Sequence, residues 1–288
     1  MDSPLPWYGG KARYADWIVA QFPAHHTYVE PFAGGLSVLF AKPPSPLEVV
    51  NDVNAGLVTF WRVVRDPALF PALQTRLTLT PYSREEFTWA RDTWAAVADP
   101  VEQAARWYTM VRQAFSGKMG EGTSWSFQVS AHRSALGAWK WMRSVDDRLP
   151  AIHARLRLVQ VEHGDWSRVV ETYDTPDTLF YCDPPYVLDT RSGGAMYPDE
   201  LSDADHQALV ARLLGVQGAV VVSGYDAPVY APWVDAGWTV IRRRAHAYAV
   251  GRTRAAGVRG AGSAMEHTRE EVLWMNPHAR RSAQLTLF

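Results

Sequence analysis

The chain has 288 residues, of which 47% are hydrophobic and 20% charged, a composition typical of a folded globular protein. Its formal net charge of −1 excludes a strongly basic protein, so a nucleic-acid partner would have to meet a local cluster of cations. The single cysteine excludes an internal disulfide, and the lack of a run of about eighteen apolar residues predicts no transmembrane helix. The start, MDSPLPWYGGK, lacks a signal-peptide pattern, so we expect a cytoplasmic protein with no membrane partner.

Short apolar runs that end at polar or glycine-rich corners alternate with helical patterns along most of the chain. Such runs are typical of buried parallel strands, which we predict at Thr27–Val29, Leu47–Val50, Leu158–Val161, Thr178–Cys182, Gly218–Val222, Thr239–Ile241 and Glu271–Met275. Helical spacing predicts helices at Ala12–Gln21, Leu36–Ala41, Ala55–Val64 and Asp203–Leu214, the last with Ser202 as its N-cap. The alternation predicts an α/β fold with a doubly wound, mostly parallel sheet of seven strands.

The stretch from residue 67 to residue 150 breaks this rhythm. It predicts helices at Ser83–Ala95 and Pro100–Phe115, then a glycine-rich segment, SGKMGEGTSW, and a further helical stretch that contains Trp139 and Trp141. Six of the thirteen tryptophans lie here. We therefore predict an α/β domain formed by residues 1–66 and 151–288, with a mainly helical insertion at residues 67–150.

The first glycine-rich corner, YVEPFAGGLSVLF, has the order strand, acid, glycine turn and helix. Glycines allow a tight turn and a close approach of the backbone to a ligand. Asp52 follows Gly34 by eighteen residues and ends the next predicted strand, where it can accept hydrogen bonds from ribose hydroxyls or cap the helix that begins near Ala55. The corner favours an adenosine-containing cofactor, and both a dinucleotide and S-adenosylmethionine remain open.

Three motifs occur in a fixed order: PWYGGK at Pro6–Lys11, VEPFAGG at Val29–Gly35 and CDPPY at Cys182–Tyr186. In this order they resemble the DNA adenine N6-methyltransferases of the D12, or Dam-like, family, and the resemblance covers nearly the whole length. The glycine corner departs from the family's frequent F-x-G-x-G. The resemblance implies the S-adenosylmethionine-dependent methyltransferase fold, a target-recognition role for the insertion, S-adenosylmethionine as methyl donor and double-stranded DNA as substrate. A cognate restriction endonuclease is a further partner that it allows.

The resemblance also implies the roles of individual residues. The catalytic set is Asp183, Pro184, Pro185 and Tyr186, and the cofactor site consists of Trp7, Lys11, Glu30, Phe32, Ala33, Gly34, Gly35, Asp52, Asp165 and Asp183. Asp52 matches the family's acid that binds the ribose. Asp165 in HGDW resembles the family's acid that contacts the adenine of the cofactor. Asp165 equally fits an ordinary helix N-cap. The sequence shows no cluster of His, Cys or acidic residues with metal-ligand spacing, so we expect no metal.

The DPPY segment suits chemistry on an exocyclic amine, although by itself it also fits a strand that runs into a proline-rich turn. The N6 lone pair of adenine is delocalised into the ring, so an enzyme must localise it on nitrogen. The Asp183 carboxylate and the Pro184 carbonyl can accept both N6 hydrogens, and two prolines stiffen the loop without offering an N–H donor. The Tyr186 ring can stack on the base, and we expect the ring rather than the hydroxyl to matter. Cys182 is expected to point into the core.

An adenine in duplex DNA must be flipped out before it can be methylated, at a cost of a few kcal/mol. The insertion mixes cations and aromatic rings, which suits phosphate contact and stacking, and we predict Lys118 and Arg133 as DNA contacts. Between Trp238 and Met265 lie six arginines and no acid. This segment is either a solvated flexible loop or an arm that meets phosphate, and in the second case Arg252 and Arg254 contact DNA.

Three other functions compete with adenine methylation. A cytosine N4-methyltransferase uses a related tetrapeptide, often with serine in place of the aspartate. A catalytically inactive relative that only binds nucleic acid would not need Asp183, Tyr186 or Lys11. A dinucleotide oxidoreductase would have no use for DPPY. The sequence therefore favours a site-specific DNA adenine methyltransferase.

Overall fold

A computed structural model describes residues 1–7, 9–115, 123–127, 137–187, 200–245 and 269–284. Within these ranges, seven strands form one sheet: β1 (Thr27–Glu30), β2 (Leu47–Asp52), β3 (Val159–His163), β4 (Thr178–Cys182), β5 (Ala219–Gly224), β6 (Thr239–Ala245) and β7 (Arg269–Met275). Their order is β3-β2-β1-β4-β5-β7-β6, and β1 to β5 pair in parallel. β7 alone of these seven runs antiparallel, to both β5 and β6.

Helices cover both faces of the sheet. They are α1 (Ala15–Val19), α2 (Ser37–Ala41), α3 (Ala55–Arg65), α4 (Phe70–Thr78), α5 (Arg84–Thr93), α6 (Pro100–Gln113), α7 (Gly137–Arg143), α8 (Leu149–Leu156), α9 (Trp166–Tyr173), α10 (Asp203–Leu214), α11 (Ala231–Asp235) and α12 (Pro277–Gln284). Short 3-10 turns lie at Trp94–Ala96 and Pro228–Tyr230, and a π-helical turn at Ser144–Arg148 joins α7 to α8. Within the described residues, no helix is long and apolar enough to cross a membrane.

Side-chain alternation along the strands separates two hydrophobic cores. On β4, Leu179 and Tyr181 face the core beneath α1, α2 and α3, whereas Phe180 and Cys182 face the core beneath α9, α10 and α11. Cys182 is fully buried, which confirms the prediction that its thiol points into the core. Burial raises the pKa of this thiol, so Cys182 is a packing residue rather than a nucleophile.

The helices between residues 67 and 150 pack onto the first of these cores and share its side chains. Phe60 of α3 stacks on Tyr108 of α6 with ring centroids 4.9 Å apart, and Trp107 lies 5.6 Å from the same Phe60 ring. Gly56 permits this contact, because a Cβ there would lie 2.3 Å from the Trp107 ring. The proposed insertion is mainly helical where described, and its limits at residues 67 and 150 remain a prediction.

The structure corrects several predicted elements. The helix expected at 12–21 is shorter, and helices α4, α8, α11 and α12 were not predicted, whereas α9 is the helix that Asp165 was expected to cap in one of its two interpretations. The last strand is antiparallel, because strand direction depends on the partner, which a short apolar run does not encode. Arg242 to Arg244 lie in edge strand β6 rather than in a loop. Ser202 caps α10 as predicted, in a reciprocal capping box with Asp205.

Candidate active site

Parallel pairing brings the carboxyl ends of β3, β2, β1 and β4 to one edge of the sheet. Glu30 ends β1, Asp52 ends β2, Asp165 follows β3, and Asp183 follows β4. In open α/β sheets, ligands bind in the crevice outside these strand ends. Four acids from separate parts of the chain therefore lie around one crevice.

The crevice encloses a cavity of about 340 Å³, within the range of small-molecule sites. All ten residues predicted for the cofactor line it: Trp7, Lys11, Glu30, Phe32, Ala33, Gly34, Gly35, Asp52, Asp165 and Asp183. Pro185 also lines it, whereas the predicted catalytic residues Pro184 and Tyr186 lie beside it. Sequence reasoning missed other lining residues, among them Asn51 and Trp166, although both lie next to predicted acids in the chain.

Asp52 holds the glycine turn in place. One carboxylate oxygen accepts a hydrogen bond from the Gly34 amide at 2.9 Å, and the other accepts one from the Asn54 amide at 3.0 Å. The N-cap of α3 is Asn54, whose side chain accepts the Leu57 amide, so Asp52 is not that cap. Asp52 thus lies at the cavity wall and fixes the backbone opposite it.

Trp7 packs against the same turn. A Cβ on Gly34 would lie 2.6 Å from the Trp7 indole nitrogen, and one on Gly35 would lie 2.9 Å from the Trp7 Cβ. Gly34 also has φ of +45°, which disfavours a side chain. Leu36 has φ of +56°, at the place where F-x-G-x-G would put its second glycine. The departure from the family pattern thus leaves a leucine in a left-handed conformation beside the cavity.

Asp165 has the structural role that the sequence allowed. It is the N-cap of α9, and its carboxylate accepts the Ser167 amide at 2.8 Å and also the Ser167 hydroxyl. It nevertheless lines the cavity, so capping leaves the predicted contact to adenine open. The next residue, Trp166, lies 5.9 Å from the Phe32 ring, and together they form an aromatic wall near Asp165.

Glu30 is buried at the cavity, with 2% of its surface exposed. Its carboxyl accepts a hydrogen bond from the Tyr28 hydroxyl at 2.6 Å. Burial raises the pKa of Glu30 to about 8; the Tyr28 hydrogen bond opposes the rise and the nearby charge of Asp183 adds to it. The protein alone thus leaves Glu30 mostly protonated at neutral pH, and a cation in the cavity would favour its ionised form.

Asp183 is held from two sides. The Lys11 ammonium lies 2.7 Å from one carboxylate oxygen and 2.9 Å from the other, and the Ser223 hydroxyl donates to the carboxylate at 2.9 Å. Burial alone would lower the pKa of Lys11, but the charges of Asp183 and Glu271 outweigh burial and raise it. Lys11 therefore stays cationic and fixes the orientation of Asp183.

Tyr186 is held by its hydroxyl as well as by its ring. The hydroxyl donates to Glu271 at 2.6 Å, the Lys11 ammonium lies 4.7 Å from the ring centroid, and Tyr225 meets the ring edge-on at 4.6 Å. Sequence reasoning missed Glu271 and Ser223. Their signal was positional: Ser223 lies near the carboxyl end of β5, and Glu271 near the start of an antiparallel strand.

Four predicted DNA contacts, Lys118, Arg133, Arg252 and Arg254, lie outside the described residues. The three arginines of β6 do lie within them. Arg242 pairs with Asp226 at 2.7 Å, and Arg244 pairs with Glu270 at 3.5 Å. Arg243 lies over the rings of Tyr14 and Trp17. In the part of the chain that the structure describes, no group of three His, Cys or acidic residues could hold a metal ion.

The doubly wound sheet, with its glycine turn and its crevice of acids, has the architecture of a methyltransferase. Residues 7–244 match the family described as D12 class N6 adenine-specific DNA methyltransferase. This match spans most of the chain, so the chain belongs to that family. This match confirms three predictions: the family, the methyltransferase fold, and an enzyme that methylates adenine in DNA. It also implies S-adenosylmethionine as the methyl donor.

Curated relatives are similar in sequence. The chain is 26% identical over 186 residues, 64% of its length, to the "DNA N-6-adenine-methyltransferase" of Escherichia phage P1, and the match spans 24% of that longer protein. It is 26% identical to "Type II methyltransferase M.MjaIII" of Methanocaldococcus jannaschii, over 72% of this chain and 77% of that one. It is 24% identical to the "DNA adenine methylase" of Haemophilus influenzae, over 77% of this chain and 79% of that protein.

Among solved structures, the rRNA methyltransferase aviRa of Streptomyces viridochromogenes is similar to this protein, and the alignment covers 94% of this chain and 87% of the aviRa chain. The identity is 15% and the TM-score 0.32, so this similarity supports no conclusion about the site or the substrate.

Proposed function

We propose that this chain binds S-adenosylmethionine in the cavity and transfers its methyl group to N6 of an adenine flipped out of DNA. The observation that carries the proposal is the position of Asp183. It lines the cavity and begins the DPPY loop, so one carboxylate can face both the methyl donor and the amine. Lys11 and Ser223 hold that carboxylate in place before any substrate arrives.

The cavity residues fit the chemical groups of the methyl donor. Asp52 would accept hydrogen bonds from the ribose hydroxyls, and Asp165 with the Phe32–Trp166 wall would hold the adenine. Glu30 would meet the ammonium group of the methionine end, since a buried carboxyl gains most from a nearby positive charge. The close contact between Trp7 and the glycine turn supports a backbone shaped for a ligand. These roles remain proposals.

The chemistry of transfer would rest on the DPPY loop. The Asp183 carboxylate and the Pro184 carbonyl would accept the two N6 hydrogens and localise the nitrogen lone pair. When bound, S-adenosylmethionine supplies the methyl group, and its sulfur keeps the electrons of the broken S–C bond as the N–C bond forms. N6 then gives up one proton, and Asp183 is the nearby base in position to accept it.

Base flipping and DNA binding are further proposals. The Tyr186 ring would stack on the extruded base, a contact that contributes roughly 1–3 kcal/mol. In the predicted target-recognition insertion, the Arg84 guanidinium lies 4.9 Å from the Trp125 ring centroid and 5.7 Å from that of Phe127. Phe127 is 62% exposed and Phe115 51% exposed. This surface of a cation and exposed rings suits phosphate and base contact.

Several other aromatic residues of the insertion are packing residues. Trp107, Tyr108 and Trp141 are buried in the core, and Arg112 donates to the Lys140 carbonyl at 3.1 Å. Lys118, Arg133, Arg252 and Arg254 remain predicted DNA contacts. A cognate restriction endonuclease is a proposed partner because three relatives are named Type II methyltransferases. A cytoplasmic location remains a prediction from the sequence.

Expression in a bacterial host without adenine methylation tests the proposed function. Modification-sensitive sequencing of that host's DNA should show N6-methyladenine at one recurrent sequence. Asp183→Asn, which keeps the shape but removes the charge, should fold yet leave the DNA unmodified, with donor binding weakened to the extent that the carboxylate faces the donor. Methyl groups on cytosine N4 would reject the adenine assignment, and full methylation by Asp183→Asn would reject the role of the carboxylate.

A further inference from the structure

Glu271 is a buried acid that no motif predicts. It is the third residue of β7 and is 4% exposed. Because β7 is antiparallel to β5, its first residues pair with the last residues of β5, with Val272 opposite Gly224. This pairing places Glu271 at the catalytic edge of the sheet, although it follows Tyr186 by 85 residues.

Glu271 connects two groups of the proposed site. It accepts the Tyr186 hydroxyl at 2.6 Å and lies 3.7 Å from the Lys11 ammonium. Lys11 in turn pairs with Asp183 at 2.7 Å and lies over the Tyr186 ring. The four side chains thus form a closed cluster in which each one touches at least one other and Lys11 touches all three.

A buried carboxylate is costly unless cations and hydrogen-bond donors compensate it. Here the compensating groups are Lys11 and Tyr186, both of which the proposed reaction uses. The neighbouring acid, Glu270, differs in kind: its side chain is 43% exposed and pairs with an arginine that is 81% exposed. Surface pairs of this sort contribute little. Adjacent glutamates on one strand therefore have different surroundings.

We propose that Glu271 is a positioning residue for methyl transfer, which fixes the Tyr186 ring through its hydroxyl and the Lys11 ammonium through its charge. The proposal rests on the proposed function of the DPPY loop. It differs from the sequence-based expectation, in which the ring of Tyr186 matters and its hydroxyl does not. Removing the carboxylate charge or the hydroxyl should loosen the same contact.

The test is a double-mutant cycle on Glu271→Gln and Tyr186→Phe, with Glu270→Gln as the matched control. Single-turnover methylation is measured at saturating donor on a duplex that carries the sequenced target. Each single variant should be slower by about 10- to 140-fold, because hydrogen bonds to charged groups contribute about 1.5–3 kcal/mol and each 1.4 kcal/mol is tenfold. The double variant should be close to the slower single one, and Glu270→Gln should match the wild type.

A second measurement separates positioning from stability. A 2-aminopurine at the target position should be brighter in the Glu271→Gln and Tyr186→Phe complexes, without donor, because a loosened ring stacks less well on the base. Donor affinity and the melting temperature report folding. If Glu271→Gln does not fold, Tyr186→Phe still tests the same hydrogen bond, and wild-type rate and fluorescence in it would overturn the proposal.

The remaining outcomes are also decisive. If the rate losses of the two single variants multiply in the double variant, the positioning role is wrong. It is also wrong if Glu271→Gln methylates at the same rate as Glu270→Gln. Asp183→Asn in the same assay separates the two proposals. If the wild type does not methylate adenine, the proposed function fails; if Asp183→Asn still methylates, only the role of the Asp183 carboxylate fails; and if Asp183→Asn is inactive while Glu271→Gln is normal, the Glu271 proposal alone fails.

Discussion

Replacing Glu30 by glutamine should stabilise the protein, and more so at alkaline pH. Glu30 is buried beside the cavity and its pKa is raised to about 8, from 4.5. Glutamine resembles the protonated carboxyl in shape, and its side-chain oxygen can still accept the Tyr28 hydroxyl. The substitution therefore removes the titration of residue 30 while it keeps the packing.

The size of the effect follows from proton linkage. Between pH 4.5 and about 8, the folded protein holds more protons at Glu30 than the unfolded chain does, so this contribution to stability is complete below pH 4.5 and is lost as pH rises through 8. Each pH unit within that window costs about 1.4 kcal/mol. Relative to Glu30→Gln, the wild type should therefore lose about 3 kcal/mol between pH 5.5 and pH 8.5.

The assay is urea unfolding of both proteins at the two pH values, with the free energy of unfolding extrapolated to water. Glu171→Gln, an exposed acid on α9, controls for the general effect of removing a negative charge. Glu171→Gln should follow the wild type at both pH values. If the wild type and Glu30→Gln differ by the same amount at pH 5.5 and pH 8.5, Glu30 titrates as an ordinary carboxyl and the reasoning from burial is refuted.

Two further predictions concern the donor and the DNA. Gly34→Ala should weaken donor binding at least tenfold in calorimetry, because the new Cβ would lie 2.6 Å from the Trp7 indole that packs on the turn. The control Gly215→Ala should bind the donor normally, because its Cβ would meet only one atom, at 3.8 Å. Equal donor affinities of the two variants would contradict the role of the glycine turn. In a DNA-binding titration, the plot of log affinity against log salt should become less steep by about 1 in Arg84→Ala. It should become less steep by about 2 when Arg252 and Arg254 are both replaced by alanine. An unchanged slope would mean that these arginines do not meet phosphate.

Elements with strong local signals were predictable from the sequence. Helix α10 has the predicted bounds, because Ser202 and Asp205 form a reciprocal cap that fixes its first turn. The strand before DPPY also has the predicted bounds, because Thr178–Cys182 is fully buried and a proline-rich turn follows. Helix α1 is shorter than predicted, because apolar spacing marks the face of a helix better than its ends.

The composition of the cavity was also predictable, since its residues occur in short motifs that follow strand ends. The ten predicted cofactor residues line one cavity because parallel strands place their carboxyl ends together. The second role of Asp165 was left open by the sequence, and the structure shows the cap. The four predicted DNA contacts lie outside the described residues and stay predictions from the sequence.

The sequence by itself determined the family, the alternation of strands and helices and the residues of the DPPY loop, because these depend on neighbours in the chain. The tertiary structure decided which distant groups meet. Lys11 reaches Asp183 across 172 positions, and Glu271 reaches Tyr186 only because β7 enters the sheet antiparallel between β5 and β6. Strand order and direction come from the packing of the whole sheet, so no local pattern could reveal that a buried glutamate holds the tyrosine of DPPY.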